Sequence, residues 1–256
     1  MNIKYIEILD RINIDISKEL QIVKSETDYK KISYFHMYKA NILLKSIIVW
    51  LENNFLEYTC FEIILRALFI ITVDSCFIAS LDSKDQEDII TRYIDYFDYK
   101  KNKNLKDYKE SGQELISEDT IKLIKDKAKV YESKYNKHSD WSGKNLAEKI
   151  NSIKNYDKIT LEIEIEKRFN ILYKFFFSIA SDNEHSTIIN ASEILQFNNI
   201  EDKFYPNHDK EIKGIIKTFI LIYLLIYNDF STIFNLEKSD NYIEKIMNDL
   251  EELEKK

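Results

Sequence analysis

The sequence has 256 residues, of which 45% are hydrophobic and 32% charged, and its formal net charge is −7. A chain of this length and composition can bury enough apolar surface to form a globular core. Only three glycines and one proline occur, which excludes the Gly-rich nucleotide-binding loops and the GxSxG turn of serine hydrolases.

Apolar residues recur at intervals of three and four residues along most of the chain, which is the period of an α-helix. Thr27, Ser83 and Ser117 precede such segments and are predicted N-caps. We therefore predict an all-α protein, an antiparallel helical bundle formed by one domain over residues 1–256, with a C-terminal helical extension from residue 209 onwards. The predicted helices cover residues 3–24, 27–53, 56–80, 83–101, 118–135, 161–184, 186–198, 209–235 and 237–256.

Two apolar segments, residues 61–81 and 215–227, resemble membrane-spanning helices in composition. The first contains Glu62, Arg66 and Asp74, and the second has too few unbroken apolar residues to cross about 30 Å of hydrocarbon. We predict that both are buried core helices and that the protein does not insert into a membrane.

Cys60 and Cys76 lie on one predicted helix, about 24 Å apart at the rise of an α-helix, so they are not expected to form a disulfide. Free thiols are typical of the reducing cytoplasm, which is the predicted location. The sequence contains no CxxC, HExxH or paired-histidine spacing, and we therefore expect neither a metal ion nor another cofactor.

The segment from residue 100 to 144 contains twelve lysines and eight acidic residues, interleaved with tyrosines. Lysines that neutralise phosphates release counterions, so this segment has the composition of an RNA-binding surface. Lys125, Lys127 and Lys129 are the candidate contacts. A solvated helical surface explains the same composition equally well.

Trp141 and Gly143 lie in the segment HSDWSGKNLAEKI, which predicts a structured loop leading into a helix. Trp141 is interpreted either as a core anchor or as a binding residue.

The predicted helix over residues 161–184 carries the most site-like pattern. Tyr173, Phe177, Ser181 and His185 follow one another at four-residue intervals and therefore form one stripe, with a hydroxyl and an imidazole near the helix end. A histidine at this end is also typical of simple stabilisation by the helix dipole.

These segments resemble a bacterial family of helical proteins of unknown function, found among mobile and defence-associated genes. The resemblance rests on LRALFIITVDSCFIA, DQEDIITRYIDYFDYKKNKN, the WSGKNL loop and YKFFFSIASDNEHS, and it covers about residues 55–190. That family has an arginine-bearing helix, a tyrosine-rich helix, a Trp-x-Gly loop and a Tyr-x3-Tyr-x3-Ser-x3-His helix in this order. Here Phe177 takes the second aromatic position.

The last helix also resembles the HEPN domains, which include dimeric toxin ribonucleases. The resemblance implies metal-independent RNA cleavage with His185 as the acid–base group and Ser181 beside it. Those enzymes place an arginine four to six residues before the histidine, whereas here the nearest cations on the helix, Lys174 and Arg168, lie about 16 and about 25 Å away. Arg66, on another helix, is the first candidate to supply the missing charge.

Two functions therefore stay open. The first is a defence- or toxin-associated ribonuclease that acts on RNA as a homodimer. The second is a non-catalytic helical interaction module, a sensor or neutralising partner of a protein encoded nearby.

Overall fold

A computed structural model of the protein describes residues 3–53, 58–110, 117–135, 140–153, 208–236 and 239–254. All regular elements in these ranges are α-helices, which confirms the predicted all-α fold. The helices are α1 (Ile3–Ile22), α2 (Asp28–Glu52), α3 (Tyr58–Ala79), α4 (Ser83–Glu110), α5 (Glu118–Tyr135), α6 (Leu146–Ser152), α7 (His208–Phe234) and α8 (Ser239–Glu254). The predicted helices over residues 161–184 and 186–198 lie outside the described residues.

Two of the predicted N-caps are confirmed. The Thr27 side chain accepts a hydrogen bond from the Lys30 backbone nitrogen at 3.2 Å, and the Ser117 hydroxyl accepts one from the Thr120 nitrogen at 3.3 Å. Each bond satisfies one of the backbone donors left free in the first turn of a helix. The starts of α2 and α5 are thus fixed by the residues that the sequence predicted.

The predicted cap Ser83 is wrong. Asp82 caps α4 instead, because its carboxylate accepts hydrogen bonds from the backbone nitrogens of Lys84 at 3.1 Å and Asp85 at 3.0 Å. A carboxylate also interacts favourably with the positive end of the helix dipole. The predicted end of this helix at residue 101 is wrong as well, since α4 continues to Glu110.

The core forms where α7 packs against α3 and α2. The neighbouring helix α1 packs on α2, α8 contacts α1 and α7, and α6 packs on α3. Helix α4 contacts α2 and α3 and pairs extensively with α5. Among the fully buried side chains are the aromatic residues Phe61, Phe69, Phe77, Phe219, Tyr223, Tyr227 and Phe230.

Helix α7 is the one helix of the described chain that is long and apolar enough to cross a membrane, over Ile212–Phe234. Of its most apolar stretch, 72% is buried inside the protein. This burial against α2 and α3 is typical of a core helix, as the sequence predicted for this segment.

Polar contacts fix the position of α7 relative to the N-terminal helices. The Tyr223 hydroxyl donates a hydrogen bond to Asn41 of α2 at 3.2 Å, and the Tyr227 hydroxyl donates one to Glu19 of α1 at 3.1 Å. An ion pair between Arg11 and Asp249 joins α1 to α8. Because buried polar groups require defined partners, these contacts select one arrangement of the four helices.

A carboxyl group lies inside this core, next to the free thiol of Cys76. Asp229 is 3% exposed, and its burial raises the pKa of the carboxyl to about 7, although Cys76 and Ser75 beside it oppose the rise. Cys76 is buried and Cys60 partly exposed, and both are free, as expected from their separation on α3.

The buried Asp229 predicts a pH-dependent stability. In the folded protein the carboxyl keeps its proton up to about pH 7, whereas in the unfolded chain it loses the proton near its ordinary value of 3.8. The protonated Asp229 carboxyl therefore contributes its full stability below pH 3.8, the pKa in the unfolded chain. This contribution is lost as the pH rises to about 7, the pKa in the folded protein. We expect Asp229→Asn to raise the thermal unfolding midpoint, relative to the parent, more at pH 8 than at pH 5.

Thermal unfolding at both pH values measures this difference. Asp28→Asn, which changes an exposed carboxylate on α2, is the matched control and should show no comparable gain at pH 8. An equal effect of Asp229→Asn at pH 5 and pH 8 would show that the carboxyl is not held protonated.

Candidate functional site

The described structure contains five of the eight residues that the sequence singled out. Arg66 lies partly buried on α3, Trp141 lies in the loop before α6, and the lysines are exposed on α5 at positions 125, 127 and 129. Tyr173, Ser181 and His185 lie outside the described residues. The roles assigned to these eight residues stay predictions.

An ammonium group is buried where α3, α6 and the loop over residues 140–145 meet. Lys149 has a side chain that is 3% exposed, and its Nζ donates hydrogen bonds to Asp74 at 2.6 Å and to the Asp140 carboxylate at 3.0 Å. Burial raises the pKa of Asp74, and Lys149 opposes this rise. The two carboxylates offset the cost of removing the ammonium from water, so each charge depends on its partners.

Trp141 completes this buried cluster. Its indole Nε1 donates to the second Asp74 oxygen at 3.3 Å, and the Lys149 Nζ lies 4.5 Å from the centre of its ring. The ring also makes an edge contact with Tyr93 of α4, with the centroids 4.8 Å apart. Trp141 is 4% exposed, a burial that fits a core anchor.

Tyr93 extends the cluster to α2. Its hydroxyl lies 2.9 Å from Nε2 of His36, which is buried. Burial lowers the pKa of His36 to about 3, and the charges of Lys39 and Lys149 contribute to the change. The imidazole is therefore neutral at physiological pH, and its Nε2 shares a hydrogen bond with the Tyr93 hydroxyl.

The loop over residues 140–145 is stabilised by its own side chains. Oδ1 of Asp140 accepts hydrogen bonds from the Ser142 nitrogen at 2.9 Å and from the Ser142 hydroxyl at 2.6 Å. Asn145 and Glu148 form a reciprocal capping box at the start of α6. Gly143 has φ of +73°, a conformation that side-chain-bearing residues rarely adopt.

Gly143 also permits a close approach to Arg92 of α4. A Cβ atom at this position would lie 2.9 Å from Nη2 of Arg92 and 3.3 Å from Nη1, so a larger residue would displace the guanidinium or the loop. Near the guanidinium lies the Tyr135 ring, whose centre is 5.1 Å from Cζ. Glycine is thus favoured at this position mainly by its backbone angle, and a side chain there would also have to displace the end of the Arg92 side chain.

Tyrosines from α4 and α5 form a cluster beside Arg92. Tyr131 stacks on Tyr99 with centroids 5.0 Å apart, and it contacts Tyr135 at 5.1 Å and Tyr96 at 5.7 Å. The ammonium of Lys100 lies 5.4 Å from the centre of the Tyr96 ring, and that of Lys134 lies 4.8 Å from the centre of the Tyr135 ring. Below, Tyr96, Tyr99, Tyr131 and Tyr135 are called the tyrosine cluster.

The three lysines predicted to contact RNA differ in their surroundings. Lys127 pairs with Asp98 of α4 at 2.8 Å, whereas Lys129 lies 3.9 Å from Asp126 on its own helix. Burial alone would raise the pKa of Asp98, but Lys127 and Lys101 outweigh it and the pKa is lowered. Lys127 therefore serves partly to join α4 to α5, while Lys125 and Lys129 project into solvent.

No group of three or more His, Cys, Asp and Glu side chains that could hold a metal ion is present in the part of the chain that the structure describes. The tyrosine cluster brings together a guanidinium, phenols and ammoniums, with the Asp140 carboxylate near enough to affect the pKa of Tyr96 and Tyr131. Such groups bind anions and stack on aromatic rings.

A protein-family model of unknown function, DUF5677, matches residues 30–204. The chain belongs to this family. No curated protein and no solved structure matches the sequence. The DUF5677 match confirms the predicted membership in a family of unknown function, and it contains the region of about residues 55–190 in which the resemblance was recognised.

Sequence reasoning missed the roles of Lys149, Asp74 and Arg92. Lys149 lies within the short helix α6, where a lysine is ordinarily exposed. The available signal was the rarity of arginine, since the chain has four arginines among 37 basic residues. The structure gives Arg92 a specific location between the α5–α6 loop and the tyrosine cluster.

The burial of Trp141 leads to a prediction about stability. Trp141→Ala should lower the free energy of unfolding by about 3 to 5 kcal/mol, because it removes a buried aromatic side chain and a hydrogen bond to Asp74. Denaturant unfolding measures the loss. Tyr38→Ala, which removes an exposed aromatic side chain from α2, is the control and should change stability by less than about 0.5 kcal/mol. A Trp141→Ala variant as stable as the parent would contradict the anchor interpretation.

Proposed function

We propose that this DUF5677 protein acts on RNA as a metal-independent, HEPN-like ribonuclease in bacterial defence or as a toxin. The observation that supports RNA binding is the tyrosine cluster with its surrounding cations, Arg92, Lys100 and Lys134. Single-stranded RNA is bound through its phosphates and its bases. Cations pair with the phosphates, and aromatic rings stack on the bases. Lys125 and Lys129 extend the positive charge along α5.

The proposed chemistry uses His185 as the acid–base group. A neutral imidazole removes the proton from an RNA 2′-hydroxyl, which attacks the adjacent phosphorus and expels the 5′-oxygen of the next nucleotide. The leaving oxygen takes its proton from the imidazolium formed in the first step, which returns His185 to its neutral form. A positive group stabilises the charge that develops on the phosphate. Arg66 and Ser181 are the proposed contributors from the chain, and a second copy in a homodimer is proposed to complete the site.

A second function is favoured by a different observation. Three apolar side chains on the outer side of α2, Tyr38, Ile42 and Val49, are 48%, 46% and 52% exposed. They lie within about 60° of one another around the helix, so they share one face. Exposed apolar residues that share a face are typical of protein contacts, which fits an interaction module with a protein partner encoded nearby.

The ribonuclease proposal predicts the behaviour of His185→Ala. RNA cleavage, and growth inhibition on expression, should be lost because no other group is proposed to transfer the proton. A histidine near a helix end contributes only about 0.3 to 1 kcal/mol through the dipole, so the variant should remain folded. Cleavage of a fluorescent single-stranded RNA in the presence of a chelator provides the measurement. Full cleavage by His185→Ala would contradict the proposed site.

RNA binding is measured separately from cleavage in the His185→Ala background. Replacing Lys125, Lys127 and Lys129 together by Gln should weaken binding. It should also reduce the slope of the logarithm of the binding constant against the logarithm of the salt concentration, by about 0.7 for each phosphate that a lysine no longer neutralises. The matched control replaces three exposed lysines of α1 and α2, Lys18, Lys31 and Lys45, by Gln. Equal losses in both triple variants would indicate a general charge effect, and no RNA affinity at low salt would favour the interaction module.

A further inference from the structure

One edge of the Arg92 guanidinium has no partner among the described residues. Its Nε and Nη2 atoms are buried and have no hydrogen-bond acceptor within normal distance there. The Tyr131 hydroxyl is also buried and lies close enough to the guanidinium for Arg92 to oppose the rise of its pKa. None of the ion pairs formed within the described part of the chain includes Arg92. Buried donors without acceptors are costly, and native proteins seldom retain them without a function.

The geometry of this edge specifies the kind of acceptor that fits. Nε and Nη2 carry N–H groups that point in parallel, and this is the arrangement that binds two oxygens of one phosphate or carboxylate. The phenol of Tyr131 is a third donor on the same side of the α4–α5 pair: burial raises its pKa, and the Arg92 guanidinium opposes the rise. The phenol therefore stays protonated at neutral pH and able to donate.

The surroundings restrict how the Arg92 side chain can move. Gly143 packs against the guanidinium, and the Tyr135 ring lies 5.1 Å from Cζ. The loop that carries Gly143 is fastened by Asp140, whose carboxylate bonds both Ser142 and Lys149. A guanidinium restrained in this way loses little conformational freedom when it binds a ligand.

We propose that Arg92, with the Tyr131 hydroxyl, is a binding site for a phosphoryl oxyanion. In the proposed complex the two guanidinium donors bind one phosphate group, while Gly143 lies against the guanidinium. The choice of phosphate over carboxylate rests on the proposed RNA function. The phosphoryl group belongs either to RNA or to a free phosphate, which share this chemistry.

Thermal unfolding with inorganic phosphate as the probe tests the site. At constant ionic strength, phosphate at about ten times its dissociation constant should raise the unfolding midpoint of the parent by about 3 to 5 °C relative to chloride. Acetate at the same concentration should have little effect. Arg92→Gln should abolish the shift, and Lys84→Gln, an equal loss of charge from an exposed residue of α4, should retain it.

Arg92→Lys provides a second variant, since it keeps the charge and removes the paired donors. Phosphate titrations followed by the ³¹P line width should show at least tenfold weaker binding for this variant. Tyr131→Phe, which removes only the hydroxyl, should weaken binding by a smaller factor. A phosphate shift that persists in Arg92→Gln, no shift in the parent, or an equal shift with acetate would each overturn the proposal.

Oligoribonucleotide binding distinguishes the two sources of the phosphoryl group. If Arg92→Gln weakens binding of both inorganic phosphate and RNA, the site belongs to the RNA surface. If inorganic phosphate binds through Arg92 but RNA does not bind the parent at all, the anion site stands and the proposed function fails. If RNA binds and is cleaved, and Arg92→Gln alters neither this nor the response to phosphate, the function stands and the anion site fails.

Discussion

The ion pairs of the buried Lys149 ammonium hold together α3, α6 and the loop over residues 140–145. The rest of the arrangement around this loop depends on them. The ammonium lies between Asp74 of α3 and Asp140 of the loop, while Trp141 covers it and bonds the same Asp74. A charge at this depth requires both carboxylates, because an unpaired ion in an apolar environment costs several kcal/mol. The ion pair therefore fixes α6 on α3 and holds the loop over residues 140–145, which precedes α6, in place.

The geometry of Arg92 follows from this constraint. With Asp140 held by Lys149, the turn at Ser142 and Gly143 is set, and Gly143 comes to lie against the guanidinium. The WSGKN loop thus connects two features with different roles. Trp141 is buried and bonded to Asp74, while the part of the loop near Arg92 borders the tyrosine cluster and the proposed anion site.

Much of the fold could be predicted from the sequence, because helices and their caps depend on local chemistry. The 3.6-residue period located the seven long described helices, and hydroxyl side chains identified the starts of α2 and α5. The short α6 was expected only as the helix that follows the Trp141 loop. The incorrect prediction of the N-cap of α4 has the same local origin. Asp82 and Ser83 are both favourable N-cap residues, and it is the Asp82 carboxylate that accepts hydrogen bonds from the first turn of the helix. The glycine and the tryptophan of the loop were recognisable as structural signals.

The candidate site could be predicted only in part, because its contacts join residues distant in sequence. Lys149 lies 75 residues from Asp74, and no local pattern distinguishes it from an exposed lysine. The partner-free edge of Arg92 depends on how α4, α5 and the loop pack together. The residues Tyr173, Phe177, Ser181 and His185 have a regular four-residue spacing. Their chemistry depends on which cation lies near His185, and the spacing along one helix does not identify that cation.

A double-mutant cycle between Asp74 and Lys149 tests the central claim most directly. The free energy of unfolding is measured for the parent, Asp74→Asn, Lys149→Met and the double variant. We expect both single substitutions to lower the free energy of unfolding strongly, by about 3 to 5 kcal/mol for Lys149→Met. The loss in the double variant should be smaller than the sum of the two single losses by at least about 1 kcal/mol. Effects that add to within about 0.3 kcal/mol would show that the two charges do not depend on each other, which would contradict the account.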